Sequence, residues 1–193
     1  VWKYETGGNV LSVAISHTSG IISATSKDDY VYVWKANSSS PIWSYDIGQD
    51  SIVDISASGE YIIVGSYISS GSTDDNLYFF RTNNSTPLWA VETSSCGNLL
   101  DVKISFDGKY VFTGCEDGYT HLVKASNGTE LWKSYVGGSV NSVSLSSDGS
   151  HLSAGTSNGY VYSWDKGNSS YKWKYKIDGD VFSVDISDTG DYI

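Results

Sequence analysis

The side chains with the most evident chemistry are carboxylates that recur in short turns along the chain. They are Asp28, Asp29, Asp74, Asp75, Glu116 and Asp117, and further aspartates at Asp50, Asp178 and Asp180 precede apolar segments. Gathered on one face, these groups would attract a cation or a basic partner, so we treat the first six as candidate partner-binding residues. The simpler interpretation is that they are solvated turns, where Asp is common. No D-x-D-x-D-G calcium loop occurs, and we predict no metal site.

A second set of candidate sites consists of N-x-S/T sequons in polar loops. The acceptor residues are Asn37, Asn83, Asn84, Asn127 and Asn168. We predict that at least one carries an N-linked glycan and that all five decorate one rim of an exported protein. The alternative is that Asn, Ser and Gly were selected only because they favour turns.

Catalytic chemistry finds less support in the sequence. His17, His121 and His151 lie in unrelated contexts, so they predict neither a metal site nor an activated nucleophile. The Gly-Gly pairs precede apolar strand-like segments rather than helices, which does not suit phosphate binding. We therefore expect a protein that is not an enzyme, with no catalytic residues and no cofactor.

Charge and hydropathy exclude two classes of partner. The formal net charge is −10, and Arg81 is the single arginine of the sequence. Nucleic-acid binding needs clustered Lys and Arg, so we predict none. No apolar run approaches the roughly 20 residues of a membrane helix, and we predict no direct insertion into a membrane.

The elements that position these residues repeat along the chain. Trp2, Trp43, Trp89, Trp132 and Trp173 follow one another at intervals of 41, 46, 43 and 41 residues. After each Trp comes an alternating apolar segment and then a tight turn, and in the first four repeats two further apolar segments follow, separated by a second turn. The first turns are Ser19-Gly20, Ser58-Gly59, Asp107-Gly108, Asp148-Gly149 and Thr189-Gly190.

Four strands in a period of about 40–45 residues are typical of a propeller blade. A single sheet of this size would leave both faces wet, whereas stacked neighbours bury them. We predict an all-β fold, a β-propeller of four-stranded antiparallel blades that forms one domain over residues 1–193. The approximate repeats are 1–41, 42–87, 88–130, 131–171 and an incomplete 172–193.

Two stretches resemble known propeller repeats. The segment GSVNSVSLSSDGSHLSAGTSNGYVYSWD is similar to a WD repeat, and KASNGTELWKSYVGG is similar to a quinoprotein (PQQ)-like repeat. The blend resembles prokaryotic, archaeal-type cell-surface propeller proteins. The WD-type Trp occurs only at Trp34 and Trp164, with Phe80 and Val123 at the equivalent positions, and the His of the WD family's Gly-His pair is missing throughout. The resemblance implies the fold more strongly than a function.

The resemblance also bears on the two cysteines, Cys96 and Cys115. They occupy positions that are neighbours within a blade of the WD family, which implies a disulfide. Such a bond would suit an exported protein. The alternative is a pair of buried thiols that pack as small apolar groups.

The number of blades stays open at this point. Val1–Glu5 reads as the outermost strand of a preceding blade, and the last repeat stops within its second strand. We predict about four and a half blades that form part of a larger ring of seven or eight. The alternative is a five-bladed ring, closed by the N-terminal strand and the C-terminal half-blade.

From these observations we predict a non-enzymatic propeller at the cell surface or outside the cell. It would bind a protein partner or build an assembly, its own copies included. One alternative is a PQQ-like or hydrolytic enzyme whose active residues lie in missing blades. Another is an intracellular WD-type scaffold, which would have free thiols and no glycan.

Overall fold

The computed structural model describes residues 1–67, 76–92 and 96–193, and these residues fold into antiparallel β-sheets. The first sheet contains β1 (Val10–Ile15), β2 (Ile21–Ser26), β3 (Tyr30–Lys35) and β4 (Trp43–Asp46). The second contains β5 (Ser51–Ile55), β6 (Tyr61–Ser66), β7 (Asn76–Arg81) and β8 (Trp89–Glu92). The third contains β9 (Leu99–Ile104), β10 (Tyr110–Cys115), β11 (Tyr119–Lys124) and β12 (Thr129–Tyr135). The fourth contains β13 (Val140–Leu145), β14 (His151–Thr156), β15 (Tyr160–Asp165) and β16 (Trp173–Lys176).

Each sheet is a meander of four consecutive strands, in which every strand pairs with the next one along the chain. This is the architecture of a propeller blade, and the predicted fold class is confirmed. Over the described ranges, no helix has the length and apolar character needed to cross a membrane.

The sheets and the sequence repeats are offset by one strand. Trp43 begins β4, the outermost strand of the first sheet, although it opens the second sequence repeat, and Trp89 and Trp173 stand in the same relation to β8 and β16. Each repeat therefore links two blades covalently. The expected strand at Val1–Glu5 is not formed, because no strand among the described residues lies beside it to complete a ladder.

The first turn of each repeat is built around a serine. In the third repeat the Ser105 hydroxyl accepts a hydrogen bond from the Tyr110 N–H at 3.0 Å, and Gly108 has a φ of 72°. That conformation favours glycine because a Cβ would be strained there. The last repeat closes its turn in the same way, since the Tyr192 N–H donates to Ser187 Oγ at 3.0 Å.

Neighbouring sheets pack face to face around their innermost strands. One core joins the first and second sheets and includes Val31, Val33, Ile62, Val64 and Phe80. A second joins the second and third sheets, and a third joins the third and fourth. Because the two middle sheets are covered on both faces, their burial matches the stacking that the repeat period predicts.

Recurring indoles join consecutive sheets along the chain. In four of the five, the Nε1–H donates to a backbone carbonyl that follows the third strand of the next sheet. The bonds run from Trp2 to Ala36 at 2.7 Å, from Trp43 to Thr82 at 2.6 Å, from Trp89 to Ala125 at 2.7 Å and from Trp132 to Lys166 at 2.7 Å. The indole of Trp173 is 40% exposed and makes no such bond among the described residues.

Candidate functional site

The antiparallel meander sorts the candidate residues between the two ends of the blades. We call the end with the first turns and the loops between third and fourth strands the first-turn face. The Ala125 N–H, in one such loop, donates to the Lys109 carbonyl at 2.9 Å beside the first turn of its sheet. The second turns and the starts of the innermost strands form the opposite, second-turn face. The sequons therefore lie on the first-turn face and the acidic turns on the second-turn face.

Asp28 is half-buried and serves the fold. Its carboxylate accepts hydrogen bonds from the Gly7 N–H at 2.6 Å and from the Tyr32 hydroxyl at 2.7 Å. Burial acts to raise the pKa of Asp28, but these hydrogen bonds outweigh it and leave the pKa below its ordinary value. This carboxylate holds the N-terminal segment against the first blade.

The other acidic turn residues mostly build their own turns. Asp29 has a φ of 69° and occupies the place that Gly118 and Gly159 take in later blades. Glu116 accepts a hydrogen bond from the Asn98 amide at 2.6 Å, and Asp117 accepts one from the Tyr119 N–H at 3.1 Å. Asp74 and Asp75 lie outside the described residues.

Of the three aspartates at the starts of innermost strands, Asp50 is buried and lies 3.8 Å from Lys27 Nζ. Asp178 and Asp180 are exposed. The described carboxylates are thus spread over several blades and many are already engaged, so partner binding at this face stays a prediction.

All five sequon asparagines are exposed, but they occupy two adjacent repeat positions. Asn84, Asn127 and Asn168 each accept a hydrogen bond at Oδ1 from the N–H two residues later, at 2.9–3.2 Å. In the first blade Ser38 takes this role, with its Oγ 3.2 Å from the Ser40 nitrogen, and Asn37 precedes it. The turn bond uses Oδ1 and not Nδ2, the atom to which a glycan would be attached.

The two cysteines are joined, as the sequence analysis predicts. A disulfide links Cys96 to Cys115, whose Cα atoms are 5.2 Å apart. Both residues are fully buried in the core between the second and third sheets. The bond attaches the segment before β9 to the end of β10.

Charged residues on the innermost strands connect neighbouring blades near the axis. An Asp54 carboxylate oxygen accepts a hydrogen bond from the Ile104 N–H, and an Asp101 oxygen accepts one from the Val143 N–H, both at 2.9 Å. Burial raises the pKa of Asp54. Burial acts to lower the pKa of Lys103, but the carboxylate of Asp101, 3.5 Å away, and that of Asp54 outweigh it, so the pKa is raised. These contacts hold the blades together around the axis.

A groove between the second and third blades on the first-turn face was not predicted from the sequence. It encloses about 710 Å³. Its floor includes Tyr61 and Phe79. These rings belong to an aromatic stack in which the centroid of Phe79 lies 5.2 Å from that of Tyr61 and 5.1 Å from that of Trp89. The hydrogen bond from Trp89 to Ala125 ties this stack to the third blade.

The rim of this groove carries most of its charge. Arg81 lies over the Tyr61 ring, with 5.7 Å between its guanidinium carbon and the ring centroid, and is 3.8 Å from Glu60. Lys109 and Lys124 stand on the side of the third blade. An apolar floor with a charged rim is the usual anatomy of a protein-binding surface.

The sequence offers only part of the signal for this groove. Phe79 and Arg81 alternate along β7 and so share a face, and Tyr61 is the cross-strand partner of Arg81. Lys109 and Lys124 come from another blade, and only the stacking of the blades brings them to the same place.

Comparison with known families supports the repeat assignment. The model of the PQQ-like family described as outer membrane protein assembly factor BamB matches residues 1–147. The chain belongs to this PQQ-like propeller family. The model described as WD domain, G-beta repeat matches residues 130–165 of the same PQQ-like propeller, so the predicted mixture of the two repeat types is confirmed. No match was found among the curated proteins.

The histidines of this PQQ-like propeller lie in three different blades. The ring of His17 is 5.5 Å from that of Phe106. His151 Nδ1 is 3.0 Å from an Asp165 carboxylate oxygen, and His121 Nδ1 is 2.7 Å from Glu130 Oε2. They do not converge on one another.

Proposed function

We propose that this PQQ-like propeller is a non-enzymatic protein-binding module of the cell surface or the extracellular space, and that the groove between its second and third blades receives the partner. The repeats of both matching families indicate a protein-binding or structural module. The family description names an assembly factor, a role that involves protein contacts, and we propose the same general role here. The observation that carries the proposal is the aromatic floor of the groove with its charged rim.

The floor is suited to binding because it is already ordered. Phe79 is 2% exposed and is held between the rings of Tyr61 and Trp89. Leu88, which also lines the groove, is 52% exposed and offers apolar surface to a ligand. A preformed surface loses little conformational entropy when a partner binds.

The rim indicates which kind of partner segment would fit. It contains three cations, Arg81, Lys109 and Lys124, and two carboxylates, Glu60 and Asp107. Arginine beside aromatic rings is common among the residues that dominate binding energy. We therefore expect a polypeptide segment that presents an apolar side chain to the floor and a carboxylate to the rim.

Export is supported by the cross-link and by the sequons. Disulfides persist in oxidising compartments and are rare in the cytosol. The five sequon asparagines are exposed on loops of the first-turn face, where a modifying enzyme could reach them. An intracellular scaffold would need neither feature.

Capture of partners from the surface proteins of producing cells tests the binding site. The immobilised wild-type chain is compared with an Arg81→Glu/Lys124→Glu variant and with a Lys35→Glu variant. Lys35 pairs with Ile21 in the first blade as Arg81 pairs with Tyr61 in the second, so it is a matched control. A partner kept by wild type and Lys35→Glu but lost by the double variant supports the groove, whereas equal capture by all three contradicts it.

Two measurements on the protein from producing cells test the remaining parts of the proposal. Intact mass with and without reductant and alkylation should show one disulfide, together with glycan mass on at least one sequon. Free thiols and an unmodified mass would instead favour an intracellular scaffold. A redox-cofactor absorption band in the purified protein would contradict the non-enzymatic role.

A further inference from the structure

We propose that Cys96, Cys115 and His121 form a zinc site when the disulfide is reduced, so that the third blade holds either a disulfide or a zinc ion. The proposal is independent of the groove and of its partner. It concerns a cluster in the core between the second and third sheets.

The three side chains already lie together. One ligand atom from each, the two sulfurs and a ring nitrogen, lies within 4.8 Å of the other two. Cys96 and Cys115 are fully buried, and His121 is 6% exposed. Two cysteines and a histidine supply the ligand atoms that Zn²⁺ prefers.

The surroundings of His121 point to a ligand. Its Nδ1 is 2.7 Å from Glu130 Oε2, which assigns the ring proton to Nδ1 as the donor to this carboxylate. Its Nε2 is buried and has no hydrogen-bond partner. A buried nitrogen lone pair without a partner is unfavourable, and a metal would satisfy it. Histidine ligands in metal sites usually donate their other N–H to a carboxylate in this way.

The backbone places His121 beside the cross-link. His121 on β11 pairs with Thr113 on β10, and Cys115 follows two residues later on β10. Residues two apart on a strand share a face, so Cys115 and His121 are on the same side of the sheet. Apolar side chains of the second blade, among them Ile63 and Leu77, cover this side.

The exchange between the two states balances as follows. A dithiol reductant supplies two electrons and two protons, which convert the disulfide to two thiols while the reductant becomes a disulfide. Zn²⁺ then displaces the two thiol protons and binds both thiolates and the histidine nitrogen, and a solvent molecule takes the fourth position. The two thiolate charges neutralise the ion, which favours its burial.

The geometry permits this exchange with a small movement. Zinc bonds of about 2.3 Å to each sulfur in a tetrahedral site separate the sulfurs by about 3.8 Å. The Cα atoms are 5.2 Å apart, so rotation of the two cysteine side chains can open the gap. The strand pairing of the third blade need not change.

Cobalt binding to the reduced chain tests the proposal. The full chain is reduced without oxygen by a phosphine, which becomes the phosphine oxide as it converts the disulfide and one water to two thiols. After removal of the reductant, Co²⁺ is added, and Zn²⁺ is then used to displace it. We expect tetrahedral visible bands and a sulfur-to-cobalt charge-transfer band, with one ion per chain, and neither band in the oxidised protein.

Variants separate the roles of the residues. Glu130→Gln, at a partly exposed position, should retain the fold and weaken zinc binding about 10- to 100-fold, as loss of a supporting carboxylate usually does. His121→Ala should weaken it further. His151→Ala is the matched control, because His151 contacts Asp165 in the fourth blade, and it should bind zinc as wild type does.

Several results would overturn the proposal. One is a reduced wild-type chain that shows no charge-transfer band, or that binds cobalt no better than Cys96→Ser/Cys115→Ser. Another is wild-type affinity in both Glu130→Gln and His121→Ala. Circular dichroism is recorded in parallel, and a reduced chain that unfolds and does not regain its β-sheet signal with zinc would also refute it.

Discussion

Replacing Trp132 by phenylalanine removes one of the bonds that join consecutive blades. The indole Nε1–H of Trp132 donates to the Lys166 carbonyl at 2.7 Å, and a partner left unsatisfied at such a site costs about 1–3 kcal/mol. The ring also contacts Phe112 and Trp164, with centroids 6.0 and 6.3 Å away. The smaller ring gives up part of these contacts, worth about 0.5–1.5 kcal/mol. We expect the free energy of unfolding to fall by about 2–4 kcal/mol.

Urea unfolding followed by tryptophan fluorescence and circular dichroism measures this loss. Trp173→Phe is the matched control, because Trp173 has the same repeat position but is 40% exposed. We expect that change to cost less than about 0.5 kcal/mol, as exposed substitutions usually do. Equal losses in the two variants would refute the view that the indoles stabilise the fold by bridging blades.

Three further predictions concern stability. Asp29→Gly should raise the free energy of unfolding, measured in urea, by about 0.5–1 kcal/mol. The reason is that Asp29 has a φ of 69°, a conformation that Gly118 adopts at the equivalent position of the third blade. A lower free energy of unfolding would contradict this prediction. Replacing Cys96 and Cys115 by alanine should lower the free energy of unfolding by about 3 kcal/mol, since their disulfide spans 19 residues. An unchanged urea midpoint would count against this prediction. A hydrogen bond from the Ser150 side chain lowers the pKa of Asp148 to about 2. Its stabilising contribution is therefore complete above its unfolded pKa of about 4 and is lost as the pH falls through 2, so Asp148→Asn should flatten the acid-unfolding profile between pH 4 and 2; an unaltered profile would oppose this.

The fold was predictable because local signals repeat. The Trp intervals give the length of the repeat, and the Gly residues at the first turns indicate tight hairpins. The geometry of a hairpin depends on residues that are neighbours in the sequence. Gly59 and Gly149 have the positive φ values that the turn chemistry demands. The cysteine pairing was predictable only through the family resemblance, which relates the segment before β9 to the end of β10.

The remaining features depend on contacts between distant residues. Asp28 reads as a surface turn residue, and only its contacts with Gly7 and Tyr32 show that it serves the fold. The approach of His121 to the disulfide follows from strand register within the third blade. The two positions of the sequon asparagines also become clear only in the structure. In the first blade the side chain of Ser38, and not that of Asn37, accepts the hydrogen bond within the turn.

Exchange of the indole N–H groups with solvent tests the central claim, that Trp43, Trp89 and Trp132 each bridge two stacked blades. The chain is labelled with ¹⁵N-tryptophan and followed by nuclear magnetic resonance after transfer to D₂O. We predict slow exchange for Trp43, Trp89 and Trp132, whose N–H groups are bonded to the next blade, and fast exchange for Trp173. Equally fast exchange at all four indoles would contradict the claim.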